Sequence, residues 1–316
     1  MDLTFTAAEE RFRAECRAWL EAHVPRGLPS GDTREGFAAH LEWERTLFDA
    51  GYAVVSWPSE FGGRGASLWE WLIFEEEYYR AGAPQRVTQN GIFLLAPTLF
   101  EFGTPDQQAR YLRKMASGEQ TWCQGWSEPN AGSDLAGIQS RARAVPGGWL
   151  LSGQKTWTTR GAFCTHLFGL FRSDPEAERH RGLTYFLVDL SSPGVTVRPV
   201  QRLDGDEGFA EIFFDEVFVA DADVLGEPNR GWEVAMATTG SERGLTLRSP
   251  GRFLATAQRL IDLYEEQSAP PELRDRLVAA FVDAEAYRWQ TFWTVTKLVD
   301  GARMGPESSL VKLFWS

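Results

Sequence analysis

The sequence predicts a multi-domain α+β protein: a helical N-terminal domain, an antiparallel β-barrel middle domain and a C-terminal helical bundle that reads as incomplete. Three observations predict it. Apolar residues recur at three- and four-residue steps up to about residue 119. Short β-branched and aromatic runs bounded by Gly and Pro then take over through residue 227. Helical periodicity returns from residue 228 to the end. The expected domains are therefore 1–119, 120–227 and 228–316.

In the first region, Phe12, Cys16, Trp19 and Leu20 share one helical face, and Leu72, Phe74, Tyr78 and Tyr79 mark another helix. Breaks are expected at Pro25-Arg-Gly27, at Trp57-Pro58 with the glycine-rich run through Gly65, and at Gly103-Thr-Pro-Asp106. In the last, Thr104 reads as an N-cap with Pro105 at the first helical position. The run Glu75–Glu77 reads as the charged solvent face of a helix, and Arg64 as a structural residue of the glycine-rich loop. The tryptophans, Trp57, Trp69, Trp71, Trp289 and Trp293 among them, read as core and interface filler.

In the middle region, Gly148–Ser152, Leu183–Val188, Val195–Arg198 and Glu211–Phe214 read as strands. No strand is followed by a helix in a βαβ rhythm, which argues against a dinucleotide-binding sheet. Beyond it, residues 251–266 and 272–300 read as long helices separated by Ser268-Ala-Pro-Pro271, with a further helix opening near Gly305-Pro-Glu307.

Bulk properties narrow the function. A hydrophobic content of 43% suits a water-soluble protein with buried cores, and a formal charge of −12 disfavours a nucleic-acid or membrane-surface partner. No apolar run approaches the ~20 residues of a membrane span. Three cysteines without CxxC spacing and four histidines without ligand spacing suggest neither a disulfide framework nor a metal site. The N-terminus carries charges throughout and lacks an apolar signal core, so a cytoplasmic location is expected.

Two segments carry candidate chemistry. Gln124–Asp134 is a turn-rich loop in which Gly132 lets backbone amides approach a ligand while Ser127 and Ser133 offer hydroxyls. Gly153–Thr159 sets Trp157 beside two hydroxyl residues, an aromatic face with a polar edge suited to a planar heterocycle. The competing reading is a capped loop beside a core tryptophan.

Together, SEPNAGSDLAG from Ser127 and GQKTWTT from Gly153 resemble the acyl-CoA dehydrogenase signature. Flanking runs WPSEFGGRGASLWEWLIFEEE, GTPDQQARYLRKMASGEQTWCQGWSEP and EIFFDEVFVADADVLGEPNRGWEVA are similar to that family in the same order. The resemblance implies FAD as cofactor, held by Gln124, Trp126, Ser127, Gly132, Ser133, Trp157 and Thr159. Trp157 packs on the isoalloxazine in that reading, Thr159 bonds near its N5 edge, and Ser133 also meets acyl-CoA. It implies removal of two hydrogens from an acyl-CoA thioester to give a 2-enoyl-CoA, with electrons passing to an electron-transfer flavoprotein.

That chemistry needs a carboxylate base for the α-proton. In the family one of two base positions opens the first long C-terminal helix, and Thr239-Gly-Ser-Glu-Arg243 matches it. This assigns the base to Glu242 and places Arg243 beside the substrate. The competing reading makes Glu242 a first-turn residue capped by Ser241. The other base position lies beyond Ser316, where relatives continue.

One departure bears on assembly. Leu263–Pro271 lacks the Arg-x-x-Phe-Gly stretch whose arginine reaches a neighbour's FAD in homotetrameric members. The pattern resembles one subunit of heteromeric acyl-CoA dehydrogenases acting on bulky or sterol-derived CoA esters, where a second polypeptide completes the flavin site. A homo- or hetero-oligomer is expected. A non-catalytic partner subunit, or another flavin reaction on the same fold, are the alternatives.

Overall fold

The computed structural model describes residues 4–244, 249–267, 270–302 and 313–314, except the side chains of 241–244 and 249. The expected helix near Gly305 lies outside the described residues.

The first helices form where the sequence caps them. Thr6 closes a reciprocal capping box with Glu9 at the head of α1 (Ala7–His23), and Thr33 caps α2 (Arg34–Asp49). Ser67 and Glu70 open α3 (Leu68–Arg80) in the same way. A π-helical stretch, Asn90–Leu95, leads into α4 (Ala96–Phe102), and Thr104 with Pro105 starts α5 (Pro105–Ala116) as the sequence predicts. Cys16, Leu20, Phe74 and Tyr78 are buried in one shared core, and Leu72 in a second with Phe292.

The charged run on α3 departs from expectation. Glu75 and Glu77 are buried, not solvated. Glu77 accepts hydrogen bonds from Arg13 and Arg17 of α1 and from Arg80 of its own helix, at 3.1, 2.8 and 2.7 Å. Burial alone pushes its carboxyl up, but the three guanidinium groups outweigh that and hold it at about 2. Arg64 bonds Glu15 at 2.9 Å and lies over the Tyr52 and Phe12 rings, in keeping with a structural part. Trp57 is core, whereas Trp289 and Trp293 are 38% and 40% exposed.

The sheet comprises β1 (Trp122–Gly125), β2 (Arg141–Val145), β3 (Gly148–Thr159), β4 (His166–Arg172), β5 (Leu183–Asp189), β6 (Val195–Val200), β7 (Phe209–Ala220) and β8 (Val224–Leu225). The order is β6-β7-β3-β2-β4-β5-β8, with β1 parallel to β4. The path does not close, because β6 and β8 end it without pairing to each other. The expected barrel is thus an open, mainly antiparallel sheet. Its β1–β4 pairing puts the chain entering the Ser127 loop in mid-sheet.

The helices α6 (Gly231–Gly244), α7 (Ser249–Glu266) and α8 (Arg274–Val299) follow the sheet. Helix α6 sits on the sheet by close approach at its first residue. A Cβ on Gly231 would stand 2.7 Å from the backbone of Thr184 and Tyr185 on β5. One turn farther in, Val234 and Ala235 are buried, and the hydroxyl of Thr238 meets those of Thr98 on α4 (3.0 Å) and Tyr185 on β5 (3.2 Å). Among the described residues no helix is long and apolar enough to cross a membrane.

Candidate active site

The two signature segments converge. The Thr156 N–H on β3 donates to the Ser127 carbonyl at 2.9 Å, and beside it Lys155 Nζ donates to Glu128 Oε1 at 2.7 Å. Lys155 is fully buried, bonds the Leu170 carbonyl at 2.7 Å and lies 4.6 Å from the Phe171 ring centroid. Glu128 also accepts the Gln139 and Ser140 amides at 2.6 and 3.0 Å. Burial lowers the lysine to about 8 even against the attraction of Glu128. Burial raises the Glu128 carboxyl, but Lys155 and the two amides outweigh it, so Glu128 stays ionised below its ordinary range. A buried pair of this kind fixes geometry more than it adds stability. Here it fixes the loop after β1 against the end of β3.

Neither Glu128 nor Lys155 was singled out by the sequence reading, although a signal exists. Lys155 is the lone charge of Gly153–Thr159, and Glu128 is one of two acidic residues in Gln124–Asp134, so the two segments carry the opposite signs that a buried pair needs.

Each predicted site residue has a definite place. Gln124 is on β1 opposite Phe168, and Trp126 is buried edge-on to Phe168 and Tyr185. Ser127 begins the loop, and Gly132 and Ser133 are exposed at its tip, where Asp134 pairs with Arg179 at 2.5 Å. Trp157 stands on the bulged end of β3 with φ 55°, where only the surroundings hold a non-glycine residue. Its indole is 62% exposed and supported edge-on by Phe209, centroids 5.8 Å apart. Thr159 is half-buried at the strand terminus.

Glu242 and Arg243 lie in the last turn of α6, and their side chains lie outside the described residues. The placement of Glu242 in a first turn capped by Ser241 is corrected: the helix starts at Gly231, where the missing side chain admits the β5 backbone, and runs through Ser241.

The residues fit a flat, polar-edged ring. An exposed indole face is propped edge-on by Phe209, the buried Trp126 Nε1 has no hydrogen-bond partner among the described residues, and nothing stands within 4 Å of where a Gly132 side chain would project. Packing within the chain therefore does not demand a glycine at 132, whereas a ligand lying on the loop would.

Comparison with known proteins identifies the family. Residues 6–119 match the N-terminal domain and residues 123–217 the middle domain of acyl-CoA dehydrogenases. The chain belongs to the acyl-CoA dehydrogenase family, FAD-dependent oxidoreductases acting on CH–CH groups. It is 38% identical to acyl-CoA dehydrogenase IpdE1 of Mycolicibacterium smegmatis, across 97% of this chain and 82% of that protein. Identity to acyl-CoA dehydrogenase FadE34 of Mycobacterium tuberculosis is 37%, across 84% of this chain and 37% of that protein. Among solved structures, the Tcur3481–Tcur3483 steroid acyl-CoA dehydrogenase aligns with TM-score 0.86 and 27% identity, covering 99% of this chain and 82% of that one. The ChsE4–ChsE5 complex from Mycobacterium tuberculosis shares the fold, with TM-score 0.81, 24% identity and the same coverage.

Proposed function

We propose that this chain is the flavin-bearing subunit of a heteromeric acyl-CoA dehydrogenase that oxidises a bulky, ring-derived acyl-CoA to its 2-enoyl-CoA and delivers the electrons to an electron-transfer flavoprotein. The observation that carries the reading is the convergence of the Ser127 loop with the end of β3, pinned by Glu128 and Lys155. Similarity to a steroid acyl-CoA dehydrogenase built from two polypeptides, together with the missing Arg-x-x-Phe-Gly stretch, supports the heteromer and the substrate class.

In this reading Trp157 offers its indole to one face of the isoalloxazine and Thr159 bonds its edge. Gln124, Trp126, Ser127 and Gly132 line the rest, while Ser133 and Arg243 meet the thioester's CoA arm. FAD, when bound, supplies the acceptor for the hydride that leaves the β-carbon. Glu242 would take the α-proton, and loss of that proton together with the β-hydride would leave a carbon–carbon double bond in the substrate. A carboxylate serves here because burial beside substrate raises its proton affinity toward the working pH.

The experiment is Glu242→Gln in the holoprotein purified with any copurifying subunit. The expected result is retained FAD and a loss of 2-enoyl-CoA formation of about a thousandfold or more, since the amide cannot accept the proton. Turnover that survives the change removes Glu242 from the base position. A chain that never carries flavin and only copurifies with an active mate supports the non-catalytic partner instead.

A further inference from the structure

A compact ionic knot lies beside the flavin-facing segment, and its centre comes from the other end of the chain. Asp32, on the loop between α1 and α2, uses both carboxylate oxygens. Oδ1 accepts Arg160 Nε at 2.8 Å and Oδ2 accepts Arg202 Nη1 at 2.5 Å. Arg160 lies just past the end of β3, three residues beyond Trp157 and next to Thr159; Arg202 lies on the turn between β6 and β7. The Arg160 N–H donates to the Gly208 carbonyl at 2.9 Å. Gly208 leaves room for the pair: a Cβ there would stand 2.8 Å from Arg202 Nη1 and 3.3 Å from Asp32 Cγ. Next in sequence comes Phe209, the ring that supports Trp157. Ser30 adds a fourth strut, its hydroxyl donating to Asp206 at 2.5 Å.

Both ends of the indole's support thus lead back to one carboxylate. Trp157 and Arg160 hold φ values of 55° each, a conformation that persists only where neighbours over-determine it. The strand is bulged between Lys155 and Thr158, so sheet pairing alone does not fix the direction of the side chain at 157. Lys155 fixes the near side of the bulge and Arg160 the far side. With Arg160 only 10% and Asp32 only 19% exposed, the pair is sheltered enough to act as a mechanical stop, unlike a solvated surface bridge.

We propose that Asp32 is a positioning residue for the flavin: through Arg160 and Arg202 it sets the bulged end of β3 and the Phe209 ring, and thereby the plane of Trp157. The proposal rests on the reading of Trp157 as a flavin contact. It assigns to the helical N-terminal region a share in cofactor affinity, although Asp32 itself need not touch the cofactor.

The test is a double-mutant cycle in FAD affinity, measured by flavin release from the purified holoprotein with any copurifying subunit. The variants are Asp32→Asn, Trp157→Ala and the double variant, with Arg202→Gln, which also releases Asp204 and Asp206, as a second break that keeps the Asp32–Arg160 bond should Asp32→Asn fail to fold. Each of Asp32→Asn and Trp157→Ala is expected to raise the FAD dissociation constant about tenfold, as loss of one charged hydrogen bond or one stacking face does. Once Trp157 is gone, Asp32→Asn is expected to add less than about threefold, because both changes act on the same contact. Arg202→Gln is expected to shift affinity in the same direction by a smaller factor. If Trp157→Ala weakens FAD while Asp32→Asn and Arg202→Gln do not, or if Asp32→Asn costs the same factor in both backgrounds, the proposal is overturned and the reading of Trp157 stands. If Trp157→Ala leaves FAD affinity unchanged, both fall together.

Discussion

At the scale of single residues, the charge cluster around Glu77 is structural. Glu77 gathers Arg13, Arg17 and Arg80, so one carboxylate ties α1 to α3. Its side chain is 1% exposed and its folded pKa of about 2 lies below the ordinary 4.5. A depressed carboxylate stabilises the fold fully above its unfolded pKa, and the benefit disappears as pH falls through the folded value. A shift of this size corresponds to on the order of 3 kcal/mol at neutral pH. Glu77→Gln should therefore lower the unfolding midpoint in neutral urea titrations. The wild-type advantage should narrow as pH drops below 4.5, whereas a pH-independent difference would mean that packing, not charge, is lost. The sequence hides this arrangement because two of the three partners, Arg13 and Arg17, stand 64 and 60 residues away on another helix. Three consecutive glutamates on a helix read as solvent-facing until the arginines of α1 are brought against them.

At the scale of elements, local chemistry is legible and tertiary seating is not. The capping box at Thr104 with Pro105, the helices 251–266 and 272–300, and the strand cores at 148–152, 183–188, 195–198 and 211–214 follow from cap residues and hydrophobic period. Helical period returns from about residue 228, yet the competing reading opens a helix at Glu242 with Ser241 as its cap; α6 starts at Gly231, where the absent side chain admits the helix to β5. Gly251 does the same for α7. A Cβ there would stand 2.8 Å from the Glu75 carbonyl of α3, backbone that cannot swing aside. Gly251→Val should lift α7 from α3 and destabilise the fold by about 2–4 kcal/mol, as overpacking against backbone does. Chemical denaturation of the variant checks it, and a change under about 0.5 kcal/mol, the range of neutral surface substitutions, would show that α7 is not seated there.

Across the whole molecule, the site proposed above draws on segments far apart in sequence: the loop after β1, the end of β3, the turn before β7, Asp32 ahead of α2 and the last turn of α6. The signature residues were legible because the family motif names them. Their supports, Glu128, Lys155, Asp32, Arg160 and Phe209, were not, because pairing between distant loops leaves no local periodicity to read. Strand spacing suits a sheet or a barrel alike, and the family resemblance implies the barrel; closure depends on the pairing of the outermost strands, and β6 and β8 stay apart.

All of these segments serve one claim, that the chain holds a flavin reduced by an acyl-CoA thioester. The most direct measurement is the visible absorbance of the holoprotein, purified with any copurifying subunit, as ring-bearing and straight-chain CoA thioesters are added without oxygen. The account predicts loss of the oxidised flavin band with a ring-bearing thioester and appearance of about one 2-enoyl-CoA per flavin, the balance that a single two-electron transfer requires. A flavin that stays oxidised with every thioester in the series would contradict it.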